Sequence, residues 1–159
     1  MASPYYIESG DFYMDKIDKM IINMLQENAR ATISDISNKV SLTLPAVSER
    51  LKKLEASGII KQYTAIINPI YMNKNIEALI MLSFDSIQQE EEFKAYANTE
   101  VDIQGCVMIS GIFNYCIKVF TENTESLDSL VERIKEKGAS RVDVSIVLSD
   151  VLGKPLQLA

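Results

Sequence analysis

The chain contains no histidine and no tryptophan, and only two cysteines among its 159 residues. Without histidine there is no Ser-His-Asp or Cys-His nucleophile pair and no imidazole ligand for zinc. Two cysteines do not build a disulfide framework, and such sparing use fits a reducing compartment. Four prolines and six glycines are too few for collagen or low complexity. No apolar run approaches the roughly 20 residues that span a bilayer. The N-terminus has neither an early Lys or Arg nor the apolar stretch of a secretory signal. The expectation is a soluble cytoplasmic protein that is not an enzyme, with no membrane partner, metal or cofactor.

What is present is an ordinary globular balance, 47% hydrophobic and 24% charged, in a length that suits one domain or two small ones. The net charge of −6 hides a division. Residues 14–62 carry eight basic and six acidic groups, for +2, whereas residues 63–159 carry eight basic and fourteen acidic, for −6. A mildly basic block on an acidic body is compatible with a phosphate-backbone partner, although a block of that charge is common.

Hydrophobic periodicity organises the basic block. Ile17, Met20, Ile21, Met24 and Leu25 form one helical stripe. Thr32 followed three residues later by Asp35 is a cap signature, and Ile33, Ile36 and Val40 give the next helix its buried face. Ser41 and Leu42 form a tight connection, after which Thr43 caps a third helix with Pro45 in its first turn and Gly58 as its stop. Two short helices joined by about three residues, behind a packing helix, describe a helix-turn-helix. On the third helix Val47, Leu51 and Leu54 face the core. Pro45, Glu49, Lys52 and Lys53 lie nearly opposite, with Ala46 and Ser48 flanking. That outer face would look into a major groove of double-stranded DNA. Thr43 and Ser48 suit bases or phosphates, and Lys52 and Lys53 suit phosphates. Arg50 sits at the edge of the core side, placed equally for a phosphate or for an internal salt bridge. The alternative for the whole block is a three-helix packing module that does not touch DNA.

The remainder reads as a β-rich linking strand over 59–67 ended by Asn68 and Pro69, then a strand at 77–85 and a helix at 88–98. Strands at 102–110 and 114–122 follow, then a helix from Asn123 or Thr124 to Gly138 and a last strand at 141–151. The fold class is α+β, with a C-terminal ferredoxin-like β-α-β-β-α-β sandwich. The expected organisation is an extension over 1–13, the helix-turn-helix over 14–62, a linking strand and hinge over 63–75, and the sandwich over 76–159. Both sheet faces carry apolar residues: Tyr115, Ile117 and Val119 against Cys116 and Phe120, and Val142, Val144, Ile146 and Leu148 against Val147 and Val151. Helices cover only one face of such a sheet, so the other predicts a homodimer. If Ser110 pairs with Tyr115, Cys106 and Cys116 point to opposite faces and do not join.

These segments together resemble the Lrp/AsnC family, the leucine- and asparagine-responsive "feast/famine" transcription regulators. The resemblance covers about residues 14–155. It is carried by 14–25 (MDKIDKMIINML), 46–64 (AVSERLKKLEASGIIKQYT), 110–115 (SGIFNY) and 151–156 (VLGKPL). It implies a nucleoid-associated regulator that dimerises through its sheet, builds tetramers or octamers, and senses an amino acid or related small molecule. Residues 43–53 match the family's recognition helix. Ser110, Gly111, Ile112, Phe113, Asn114 and Tyr115 match its effector loop, usually Gly-x-x-Asp-Tyr, with Asn114 where an Asp is usual. A neutral amide there removes a charge that could pair with an α-ammonium group. Ser41 stands where a Gly is common in the turn. Residues 1–13 lie outside the resemblance and suggest a disordered or non-native leader.

Two other functions compete. One is a metabolite-binding assembly whose helical module contacts protein. The other is an enzyme using Asp85, Glu100, Asp102 or Asp143, acids that read better as solvated surface than as a catalytic pair.

Overall fold

A computed structural model describes residues 14–149 and 151. The expected leader at 1–13 and most of the 151–156 segment lie outside the described residues. The chain divides into two compact units, the first running through Ile66 and the second beginning at Ile67.

The first unit is three helices: α1 (Lys16–Glu27), α2 (Ile33–Val40) and α3 (Leu44–Ala56). Each starts where a short polar side chain takes over an unpaired first-turn N–H. Asp15 and Asp18 cap α1 reciprocally, Thr32 and Asp35 do the same for α2, and Thr43 caps α3. Ile21, Ile22, Ile36, Val40, Val47 and Leu54 form the core, with Leu51, Ile59 and Ile60 packed on its rim. Each fully buried Ile or Leu contributes on the order of 1.5–3 kcal/mol. The turn between α2 and α3 is the three residues Ser41, Leu42 and Thr43, and Ser41 is left-handed at φ 56°. A side chain there carries a steric cost that glycine would not, which gives the family's usual Gly its physical reason.

Two expectations about this unit need correction. Ile33 is 40% exposed rather than buried, because it lies in the first turn of α2, where the helix end leaves the core. The linking strand over 59–67 does not form. Ile59 and Ile60 turn back onto the first core, and Ile66 and Ile67 are exposed without a ladder. β-Propensity without a neighbouring strand to accept its hydrogen bonds does not make a strand.

The second unit opens with a 3-10 turn, Pro69–Met72, and continues as β1 (Ile76–Phe84), α4 (Ile87–Ala97), β2 (Ile103–Met108), β3 (Tyr115–Thr121), α5 (Thr124–Glu136) and β4 (Ala139–Ile146). The antiparallel sheet has the order β2-β3-β1-β4, so the ferredoxin-like topology stands. Ala78, Ile80, Leu82, Ile117 and Val119 pack with Phe93, Leu130 and Ile134 on the helical side. Phe84, Phe93 and Tyr115 add tilted and edge-on ring contacts at 5.0–6.4 Å.

β4 starts two residues before its expected boundary and its ladder ends at Ile146, past which the Val147 N–H still donates to the Glu77 carbonyl at 2.9 Å. The hairpin pairs Met108, not Ser110, with Tyr115. Its tip closes lower because the Ile109 N–H donates to the Asn114 carbonyl across the four intervening residues. Cys106 then lies opposite Ile117, and Cys116 opposite Val107, so the two thiols are on different faces and both are free. On the face without helices, Leu79, Met81, Cys116 and Phe120 are half-buried and Val107 is exposed. Lys118 crosses this face, paired with Glu77 at 2.7 Å and lying 5.1 Å from the Phe120 ring centre.

Candidate nucleic-acid interface and effector loop

The α2–α3 pair presents one continuous outer surface. Thr43, at the head of α3, is exposed, and its hydroxyl accepts the Ala46 N–H at 3.4 Å. Pro45 is exposed in the first turn, where a missing N–H costs nothing, and Ala46 and Ser48 are half-buried beside it. One turn on, Lys52 donates to Glu49 at 2.9 Å. This hydrogen bond holds the Glu49 carboxyl below its ordinary range and the Lys52 ammonium above its own. Lys53 is exposed next to them. Thr43, Pro45, Ala46, Ser48, Glu49, Lys52 and Lys53 therefore share one surface, as their helical spacing requires.

Arg50 does not join them. Its Nη1 lies 2.7 Å from Asp18 and 2.8 Å from Asp15, tying α3 to the cap of α1. Hydrogen bonds to Asp18 and Asp15 raise the guanidinium pKa further. Asp15 in turn sits below its ordinary range, held by the Asp18 backbone N–H and by Arg50. Of the two roles open to Arg50, the internal one is filled. A shallow depression beside the α3 N-terminus is lined by Thr32, Ile33, Ser34, Leu44, Pro45 and Ser48. Thr32, Ile33, Ser34 and Leu44 are absent from the sequence-based set. Residues 33 and 44 keep the helical spacing of the buried stripes (33, 36, 40 and 44, 47, 51, 54), so periodicity assigns them to the core; what exposes them is that each is the first residue of its helix.

The second candidate surface is the β2–β3 loop. Ser110, Gly111, Ile112 and Asn114 are exposed and Phe113 is half-buried. Gly111 has φ 137°, a conformation that side chains rarely adopt. The loop is pinned to β1: the Asn114 N–H donates to the Leu82 carbonyl at 2.9 Å and the Ser83 hydroxyl to the Ile112 carbonyl at 3.2 Å. Tyr115 leaves this group. It is 2% exposed, and its hydroxyl donates to Glu90 at 2.8 Å. Burial first, then Glu90, pushes its phenol up.

The scattered acids are structural or solvated. Glu100 accepts from Tyr96 at 2.6 Å and pairs with Arg133 at 3.2 Å, Asp102 pairs with Lys74, and Asp85 and Asp143 are exposed. Among the described residues, no three metal-ligating side chains gather, and no helix is long and apolar enough to cross a membrane.

Residues 14–61 match the family model described as winged helix-turn-helix DNA-binding, and residues 77–156 match the one described as Lrp/AsnC ligand binding domain. The HTH-type transcriptional regulator LrpC of Bacillus subtilis is 29% identical over 120 residues, covering 76% of this chain and 83% of its own. The HTH-type transcriptional regulator FL11 of Pyrococcus abyssi is 31% identical over 121 residues, covering 76% and 80%. The solved structure of B. subtilis LrpC superposes with a TM-score of 0.82 at 27% identity, over 89% of this chain and 99% of that one. A transcriptional regulator of Neisseria meningitidis, solved in complex with L-Met, gives a TM-score of 0.84 at 27% identity, over 92% and 97%. With a helix-turn-helix, a ferredoxin-like ligand-binding domain and relatives named as regulators rather than enzymes, the chain belongs to the Lrp/AsnC family of DNA-binding transcription regulators.

Proposed function

We propose that α3 enters the DNA major groove with Thr43, Pro45, Ala46, Ser48 and Glu49 toward the base edges and Lys52 and Lys53 toward the phosphates. Two copies meet through the open sheet face, so that each dimer carries two such helices, one for each of two half-sites. The loop 110–114 takes an amino acid or related small molecule, a reading supported by the L-Met complex of the Neisseria relative. Asn114 offers that ligand an amide where a carboxylate is usual, which favours a neutral or hydrogen-bonding group over an ammonium at that point. The regulator works in the cytoplasm on the nucleoid.

The observation that carries the DNA reading is the exposed α3 face set by a three-residue turn. Its test is fluorescence anisotropy with duplex DNA at several salt concentrations. Log K should fall linearly with log salt, by about 0.9 per neutralised phosphate. Lys53→Ala should lower that slope by about one while weakening all sequences alike. Absence of binding to any duplex at low salt would overturn the reading.

A further inference from the structure

We infer that this regulator reads thymine through its 5-methyl group, with Leu44 as the contacting side chain and Ile33 and Pro45 flanking it. The inference rests on α2–α3 being the DNA-docking pair and adds what that pair selects.

Hydrogen-bonded readout in the major groove is done chiefly by Arg, Lys, Asn and Gln, which grip purine edges with two bonds. α3 has the sequence LPAVSERLKKLEA and contains no Asn or Gln. Its one arginine, Arg50, is held by Asp15 and Asp18. Lys52 makes only an exposed pair with Glu49 and lies seven residues beyond Pro45, about 10 Å along the axis. Lys53 lies eight residues beyond Pro45, which at 1.5 Å rise is about 12 Å along the axis, away from the end nearest the bases. The equipment for gripping guanine or adenine is therefore missing from the tip of the helix.

That tip instead carries three apolar residues, Ile33, Leu44 and Pro45, and three hydroxyls, Thr32, Ser34 and Ser48, around one depression. None of the six is charged. Leu44 is 52% exposed and Ile33 40% exposed, so two large apolar side chains stand in water at the docking end. The one apolar group that a base pair presents in the major groove is the C5-methyl of thymine. Burying it against Leu44 removes apolar surface from both partners. The hydroxyls bond to bases or phosphates with little preference.

The test uses the full chain and a duplex selected by it from a random library. That duplex is then synthesised with dU in place of each dT in turn, which keeps every hydrogen-bonding edge and removes one methyl. The half-sites should be rich in T, and replacing a contacted dT should weaken binding about four-fold, the effect of burying one methyl-sized group. Leu44→Ser should bind the dT duplex as weakly as the wild type binds the dU duplex, and show no dT/dU difference. Lys53→Ala should weaken both duplexes equally. Equal affinity of the wild type for dT and dU duplexes would overturn the inference and leave DNA binding standing. A full dT/dU difference retained in Leu44→Ser, with its helix content unchanged, would overturn the role of Leu44. Retention of no duplex at low salt would remove the DNA reading itself.

Discussion

Truncating Arg50 to alanine strands Asp18, a carboxylate 7% exposed that also accepts the Asp15 N–H at 3.1 Å. Leaving a buried acceptor unpaired costs about 1–3 kcal/mol, and the partial exposure of the arginine puts this case at the lower end. Arg50→Ala should therefore shift the urea midpoint down by the equivalent of about 1–2 kcal/mol, while the salt slope of DNA binding stays unchanged. A lower slope with unchanged stability would return Arg50 to the phosphates. The helical wheel placed Arg50 at an edge and went no further. Its partners lie 32 and 35 positions upstream, and no local pattern reports on them. Tyr115 was legible in part: alternation groups it with Ile117 and Val119, but its partner Glu90, 25 positions upstream, is not reported by any local pattern.

Secondary elements were most legible where their ends are chemically marked. Thr32 and Asp35 announced α2, Asn123 announced α5, and Gly58 and Gly138 marked two stops, each at positive φ. Elements that depend on a distant partner were not. Residues 59–67 have strand composition and no strand beside them, and the pairing of β4 ends at Ile146, opposite Ala78, short of its expected boundary. The α2 cap also has a definite pH signature. The Asp35 carboxylate accepts from the Thr32 hydroxyl and N–H, which lowers its pKa below the ordinary value. A lowered folded-state pKa means stability present above the unfolded value and lost as pH falls through the folded one. Thr32→Ala removes the partner, so it should lower Tm at pH 7 by more than at pH 3. An equal loss at both pH values would show that the carboxylate contributes nothing through this bond.

For the molecule as a whole, the order of a helix-turn-helix and a ferredoxin-like sandwich was readable from periodicity, because each unit builds its core from its own stripes. In the proposed dimer the two copies meet at the sheet face that no helix covers. Leu79→Asp places a carboxylate on that face, opposite Lys118 and between the rows of Met81–Cys116 and Glu77–Phe120, away from the helical core. It should yield monomers by sedimentation equilibrium, with circular dichroism unchanged. A dimer that survives this change would show that the sheets meet elsewhere.

The positions of the two cysteines supply a built-in reporter for this question. Cys116 lies on the open face and Cys106 on the helical one, and neither is bonded to the other. A thiol-modifying reagent thus meets one sulfur that association would hide and one that it would leave in water. As protein concentration rises through the dimerisation constant, the labelling rate of Cys116 should fall while that of Cys106 holds steady. Burial raises the pKa of Cys106 and slows its reaction overall, but this offset is the same at every concentration and divides out of the ratio.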